Sequence, residues 1–228
     1  MLPLSLPRSL NVTLLASLAG LAMAADEAVW DIRLGAELIP GLRTSTAVGG
    51  GTDDTTPKEG GGLTLGGQYV SFLTPTWGWV AGGRLFAGSS RGSVTESATG
   101  RDLKESHYGW GVNGGIAYRI TPQVHVELTP CAGIGRDRVT VVGGLLANGD
   151  QDASGTGTYA DYGVTAAAYY TVRDRYQIGV NVGFESVIEK AGITQSGPLP
   201  AGGTQTVSVN GDTKGHGLIA GISLGYRF

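Results

Sequence analysis

The sequence predicts an all-β chain: an eight-stranded antiparallel up-and-down transmembrane β-barrel, preceded by a cleaved signal peptide. Three observations predict it. Apolar and polar residues alternate with period two through eight segments of about ten residues, the periodicity of strands. Short turns and long Gly/Ser/Thr-rich stretches alternate strictly between those segments. Each segment collects its large apolar residues on one face and Gly, Asn, Thr and isolated charges on the other. That division suits a lipid exterior and a narrow interior.

Composition narrows the alternatives. Glycine is 40 of 228 residues, more than twice its roughly 7% average share, with no Gly-X-Y period to indicate collagen. Charged residues are 15%, too few for a disordered polyampholyte. The net charge is −3, and no basic run is interleaved with aromatics, which argues against a nucleic-acid partner. Cys131 is the lone cysteine, so an intramolecular disulfide and a multi-Cys metal site are both excluded.

Residues 1–24 read as a signal peptide and residues 25–228 as the barrel domain. Arg8 supplies a positive start, Leu10 to Leu21 an apolar stretch, and Ala22-Met23-Ala24 a small-residue site predicting cleavage before Ala25. No later stretch is apolar for long enough to cross a bilayer as a helix. A membrane destination therefore requires a barrel.

The first strand sets Trp30, Ile32, Leu34, Ala36 and Leu38 against Asp31, Arg33, Gly35 and Glu37, and Pro40-Gly41 is expected to end it. Residues 42–62 read as a loop. The second strand, 63–73, carries Leu63, Leu65, Tyr69 and Leu73 opposite Thr64 and Gln68, with Val70, Ser71 and Phe72 blurring its phase. Thr74-Pro75-Thr76 is a tight turn. The third strand sets Trp77, Trp79, Ala81, Leu85 and Ala87 against Gly78, Gly82, Arg84 and Gly88. Residues 89–106 read as a second loop.

The fourth strand alternates most cleanly: Tyr108, Trp110, Val112, Ile116, Tyr118 and Ile120 against Gly109, Gly111, Asn113, Gly115, Ala117 and Arg119. After the turn Thr121-Pro122-Gln123, the fifth places Val124, Val126, Leu128, Ala132 and Ile134 opposite His125, Glu127, Thr129, Cys131 and Gly133. Pro130 lacks an N–H for the ladder and predicts a bulge or irregularity there. Residues 139–157 read as the third loop, although Val139–Val142 could continue the fifth strand. The sixth strand shows Tyr162, Val164, Ala166, Ala168, Tyr170 and Val172 against Tyr159, Asp161, Gly163, Thr165 and Thr171. Arg173-Asp174-Arg175 turns into the seventh, with Tyr176, Ile178, Val180, Val182 and Phe184 opposite Gln177, Gly179, Asn181, Gly183 and Glu185. Residues 187–213 read as the fourth and longest loop. The eighth strand puts Leu218, Ala220, Ile222, Leu224, Tyr226 and Phe228 on one face and Gly217, Gly221, Ser223, Gly225 and Arg227 on the other.

The apolar face is too bulky for an eight-stranded lumen, so it must look outward into lipid. The other face then brings Asp31, Arg33, Glu37, Arg84, Arg119, Glu127, Asp161, Glu185 and Arg227 inside. Charges held away from bulk water have to be paired, which predicts a cross-strand ion-pair network filling the lumen. Outward aromatics form two girdles: Trp30, Trp77, Tyr118, Tyr170, Tyr176, Tyr226 and Phe228 at the turn ends, and Tyr108, Trp110, Tyr162 and Phe184 toward the loop ends. Amphipathic rings prefer membrane interfaces.

The closing strand, its terminal Phe228 and the alternation of short turns with long loops resemble the small outer-membrane barrels, the class of the OmpA transmembrane domain and OmpX. The resemblance covers about 200 residues. It implies the outer membrane as location, periplasmic short turns, extracellular long loops, contact with outer-membrane lipids and lipopolysaccharide, and Phe228 as the signal read by the barrel-assembly machinery. An extracellular ligand would be met through the loops.

Chemistry is sparse. His216 opens the last strand at the height where a lipid A deacylase places its His, but Leu218 stands where those enzymes carry a Ser. His125 reads as a lumen partner of Glu127, and His107 as solvated. Asn148, Asp150 and Asp152 begin like a calcium loop, but Tyr159 occupies the position that needs Glu. Asp53-Asp54 is equally generic. Cys131 reads as an inert inward thiol. Gly49–Gly51 and Gly60–Gly62 read as loop glycines, since no helix follows to make a phosphate cradle. The expectation is a protein with no catalytic site, no cofactor and no metal. Its work would be envelope integrity or adhesion through four surface loops. A narrow pore is the alternative, and a lipid-modifying enzyme a third, weaker reading.

Overall fold

The computed structural model describes residues 27–48, 51–54, 58–94, 101–143, 152–198 and 203–228. The signal peptide, Asn148 and Asp150 lie outside the described residues. The strands are β1 (Glu27–Val48), β2 (Gly51–Asp54), β3 (Lys58–Phe72), β4 (Trp77–Val94), β5 (Arg101–Arg119), β6 (Val124–Val141), β7 (Ala153–Val172), β8 (Tyr176–Pro198) and β9 (Thr204–Arg227). Each of the long strands is antiparallel to its chain neighbour, and β9 pairs back to β1 from Asp31↔Arg227 to Val48↔Gly211. The sheet is a closed ring.

Short β2 is not a ninth stave. It pairs with Ser45–Val48 of β1, whose other edge already holds β9 through Ser45↔Lys214. It therefore lies on the β3 side and prolongs that stave. The ring has eight staves, and closure removes both sheet edges.

The staves run much further than the apolar alternation. They span 15 residues in β3 to 24 in β9. Much of 42–62, 89–106, 139–157 and 187–213, expected as loops, is ladder. Val139 and Val141 do extend β6. Gly60, Gly61 and Gly62 are strand residues opposite Ile39, Leu38 and Glu37, not loop glycines. Pro40-Gly41 does not end β1 either. Both ladders of β1 shift register across it, between Ile39 and Leu42 and between Leu38 and Arg43. A missing N–H and one extra residue are absorbed as a bulge, and the strand resumes. Pro130 acts differently. The β5–β6 ladder goes from Asn113↔Cys131 to Ile116↔Leu128 with unchanged register. Pairing lapses beside the proline without a bulge.

At the opposite end the three connections are tight. The Thr74 hydroxyl accepts the Trp77 N–H at 2.8 Å, and the Thr121 hydroxyl accepts that of Val124 at 3.0 Å. Such hydroxyls stand in for a backbone acceptor in a turn. Arg173 and Asp174 have φ of 51° and 59°, and the Arg175 N–H donates to the Val172 carbonyl at 3.3 Å. Two positive φ values match the twist of the flanking strands.

The distribution of side chains is the reverse of a water-soluble domain. Trp30, Leu38, Leu63, Tyr108, Ile222 and Leu224 are each at least 59% exposed, whereas Asp31, Glu127, Asp137 and Asp161 are at most 3% exposed. A cylinder with this exterior and no free ladder edge is stable in lipid. The interior also contains apolar clusters that the alternation did not announce. Val70, Phe72, Val80 and Ala117 close the turn end, so the blurred phase of β3 reflects residues packed inside. Phe86, Tyr159 and Val187 pack higher, and Leu103, Val139, Val141, Ala153 and Ile193 fill the hairpin end.

Candidate functional site in the barrel lumen

Side-chain alternation fixes which residues meet inside. β1 sends Asp31, Arg33 and Glu37 inward, β4 sends Arg84, β6 sends His125 and Glu127, β7 sends Asp161 and Tyr169, β8 sends Glu185, and β9 sends Arg227. These charges gather into two clusters stacked along the axis instead of one continuous network.

The cluster near the turn end centres on Arg33. Its Nη1 donates to Glu127 Oε2 at 2.9 Å and its Nη2 to Oε1 at 2.8 Å, a fork-to-fork pairing. The same Nη2 donates to Asp31 Oδ2 at 2.9 Å. Arg227 grips Asp31 from β9, with Nε to Oδ1 at 3.0 Å. His125 Nε2 lies 3.1 Å from Glu127 Oε1. Two aromatic walls hold the cations: the Arg33 guanidinium lies 3.8 Å from the Tyr169 ring centre, and that of Arg119 3.8 Å from that of Phe72. His125 stacks on Tyr169 and meets Phe72 edge-on.

The second cluster, toward the hairpin end, has Arg84 at its centre. Its Nη2 donates to Asp161 Oδ1 at 2.5 Å and reaches Glu185 Oε1 at 3.4 Å. Glu37 shares the same small cavity with all three. Above them Phe86, Tyr159 and His107 form an aromatic lid, His107 stacked on Tyr159 at 4.5 Å. His107 was expected in solvent. It sits inside because β5 continues past Tyr108 without a phase change, so the residue before an outward Tyr faces inward.

Glycines make room for both clusters. A Cβ on Gly179 would strike the Tyr169 ring, and one on Gly133 would sit 2.7 Å from Asp161 Oδ2. Between the clusters lies a cavity of about 100 Å³ lined by Thr64, Gln68, Asn113, Thr165, Asn181 and Ser223. It has room for a few waters, but each end is occupied by charged and aromatic side chains. Cys131 faces this cavity.

The expected girdle residues lie on the outer face. Trp30, Trp77, Tyr118, Tyr170 and Tyr176 are exposed in the turn-end row, with Tyr226 partly covered between Tyr176 and Phe228. Tyr108, Trp110, Tyr162 and Phe184 are exposed in the other row. Eight residues separate Tyr162 from Tyr170 and Tyr176 from Phe184, roughly 27 Å along a strand. That spacing suits the hydrocarbon layer crossed by tilted barrel strands. His216 is exposed and packs 5.9 Å from the Phe184 ring. Phe228 donates its N–H to the Trp30 carbonyl at 2.9 Å, the last rung of the closing seam.

Buried acids above the second cluster were missed at the sequence level: Glu105, Asp137 and Glu189, each at most 4% exposed. Their signal was present in the pattern Lys104-Glu105, Arg136-Asp137-Arg138 and Glu189-Lys190, which alternates charge sign residue by residue.

A closed ring of antiparallel staves with an apolar exterior, two aromatic rows and a polar lumen is an outer-membrane β-barrel fold. No protein-family model matches the chain, and no curated protein matches it. Solved structures do. Ail, the attachment invasion locus protein of Yersinia pestis, is 18% identical over 89% of this chain and 99% of its own, with a TM-score of 0.37. The outer membrane protein OprG from Pseudomonas aeruginosa is 15% identical over 90% and 98%, TM-score 0.41. The outer membrane protease OmpT from Escherichia coli is 13% identical over 90% and 97%, TM-score 0.45.

Proposed function

We propose that the protein is a non-enzymatic integral barrel of the outer membrane, with a structural or adhesive role carried by the strands and tips that rise past the second aromatic row. The observation that carries this reading is the sealed lumen. Two charged clusters and three apolar clusters occupy the axis, and the cavity between the charged clusters is about 100 Å³. That volume serves packing and hydration better than solute passage, which disfavours the narrow-pore reading.

In this reading residues 1–24 direct export and are removed. The short turns then face the periplasm, and the hairpin tips face outward. Phe228, at the end of the seam strand, is the segment offered to the assembly machinery. Among the described residues the β8–β9 hairpin is the tallest element. Among the described residues Thr194–Pro198 form ladder pairs with Thr204–Ser208, past the last ladder pairs of β7 with β8 and of β1 with β9, and hydroxyls bridge them at 3.0 and 2.8 Å. That uncharged ribbon is the part of the molecule best placed to touch another surface.

The test joins two measurements. The unboiled protein is expected to migrate differently from the boiled one on a gel, as a detergent-resistant barrel does. A Ser196→Cys variant on intact cells is expected to react with a membrane-impermeant maleimide. An unshifted band defeats the barrel, and labelling only after lysis defeats the orientation. In planar bilayers the wild type is expected to give no steady conductance; a defined channel would replace this reading with the pore.

A further inference from the structure

We propose that the edge of β9 from Thr204 to Asn210 pairs antiparallel with the same edge of a second copy of this chain, displayed on an opposing cell. The proposal rests on the outer-membrane reading above and names the partner of its adhesive ribbon.

The edge is open for pairing. The ladder of β9 with β1 ends at Val48↔Gly211, while its ladder with β8 runs on to Pro198↔Thr204. Among the described residues, the seven from Thr204 to Asn210 therefore have a strand on one side only. Alternate residues of such an edge turn both N–H and C=O outward, a template for another strand. Pro198, at the top of the hairpin, is 14 residues past Phe184 of the second aromatic row, roughly 46 Å along the strand. The edge is thereby carried well clear of the membrane.

Proteins usually blunt an exposed edge with charge or proline. The other hairpins follow that rule, with Asp53-Asp54 in β2, Asp102 and Lys104 in β5, and Asp152 before β7. So does the upper edge of β8, which ends on Pro198. The β9 edge does not. No charged residue occurs between Lys190 and Asp212, and Thr204–Asn210 contains neither proline nor glycine. Its run Thr-Gln-Thr-Val-Ser-Val-Asn is instead rich in β-branched residues that suit a strand. Without charge, it has nothing to steer an ionic partner and nothing to repel its own copy.

What the edge does match is itself. A two-fold axis through Val207 sets Thr206 opposite Ser208 of the second copy, and Thr204 opposite Asn210 of the second copy. Within each ribbon the Thr194 and Ser208 hydroxyls already meet at 3.0 Å, and those of Ser196 and Thr206 at 2.8 Å. In the four-stranded sheet so formed, one hydroxyl row runs Thr194, Ser208, then Thr206 and Ser196 of the second copy. Its symmetry mate runs the other way. Cross-strand Thr–Ser neighbours of this kind stabilise a sheet, and the new main-chain bonds hold the strands together. Strand direction selects the opposing cell. Two copies in one membrane send β9 the same way and could pair only in parallel, the weaker ladder. Copies in facing membranes run β9 in opposite directions. Seven residues bury far less than a stable soluble dimer does, so each contact is weak and many copies act together between two surfaces.

The experiment mixes two dye-labelled populations of Gram-negative cells with short surface polysaccharide, both displaying the full chain. Because many weak contacts together gain roughly a hundredfold or more in avidity, wild-type cells are expected to form at least about tenfold more two-colour aggregates than cells lacking the protein. Two charge variants test the register: Thr206→Lys/Ser208→Lys and Thr206→Glu/Ser208→Glu. Both positions are exposed and away from the lumen. In the two-fold pairing each variant sets like charges directly opposite one another, which is unfavourable, so neither should aggregate by itself above the level of cells lacking the protein. When the two variants are mixed, Lys faces Glu at these positions and aggregation should return. Aggregation of either variant alone, no aggregation in the mixture, or attachment of wild-type cells to cells lacking the protein overturns the assignment. The heat-dependent gel shift is read on the same outer-membrane fractions. Wild-type cells that keep the shift without aggregating defeat the self-pairing and leave the barrel standing; loss of the shift counts against the barrel reading itself.

Discussion

The two charged clusters in the lumen solve the same problem with different degrees of redundancy. Near the turn end, each acid has a second partner. Asp31 is held by both Arg33 and Arg227, and Glu127 by both Arg33 and His125. Nearer the hairpin end, three acids cluster about one base. Arg84 contacts Asp161 and Glu185, with Glu37 alongside. The first arrangement spreads its electrostatic support over several strands, and the second concentrates it in one guanidinium. Removing one partner of a buried pair is far more damaging than removing both, so the clusters should respond differently to the same change.

The largest effect is therefore expected at Arg84. Arg84→Met strands three acids and should lower unfolding stability by about 3–5 kcal/mol, measured as the urea midpoint of tryptophan fluorescence in vesicles. Arg33→Met should cost less, about 2–3 kcal/mol, because Arg227 and His125 keep one contact to each abandoned carboxylate. If Arg33→Met proves the more damaging, the idea of redundancy is wrong. Next comes Gly179→Ala, which drives a methyl group into the Tyr169 ring beneath Arg33. It should cost about 1–2 kcal/mol, and the loss should shrink in an Arg33→Met background, since the two act on one contact. The smallest change is Glu185→Gln. It removes one of three acids, at the longer 3.4 Å contact, and leaves the 2.5 Å Arg84–Asp161 pair. Stability should stay within about 0.5 kcal/mol of wild type; a large loss would mean that Glu185, not Asp161, carries the cluster.

Where the sequence could be read, and where it could not, follows from what surrounds each part of the strands. Within the membrane, lipid demands an apolar outer face, and Tyr108–Ile120 alternates so cleanly that strand, phase and facing were all legible. Past the girdle the outer face meets water. Arg101–His107 then alternates Asp102, Lys104 and Ser106 outside with Leu103, Glu105 and His107 inside. Both sets contain polar residues, the period-two contrast vanishes, and ladder reads as loop. The same blindness hid the apolar clusters of the lumen, because Val70 and Phe72 looked like noise in a strand whose outward set was already apolar. The inward position of the nine charges was legible from parity alone. Their partition into two clusters was not, since which acid meets which base depends on the stagger between staves, and the longest such contact joins residues 196 apart in sequence.

That distance bears on how the molecule is made. The seam is the ladder between the first stave and the last, and its final rung is the Phe228 N–H on the Trp30 carbonyl. Without β9, β1 carries an unpaired edge between Asp31 and Val48, and Asp31 lacks the guanidinium of Arg227. A sheet in that condition is open to wrong partners, and no local segment can finish it, because the closing contact joins residues 196 apart in sequence. The ring is thus closed by a contact between its first and last staves, which hold each other less like a zipper than like the two halves of a clasp.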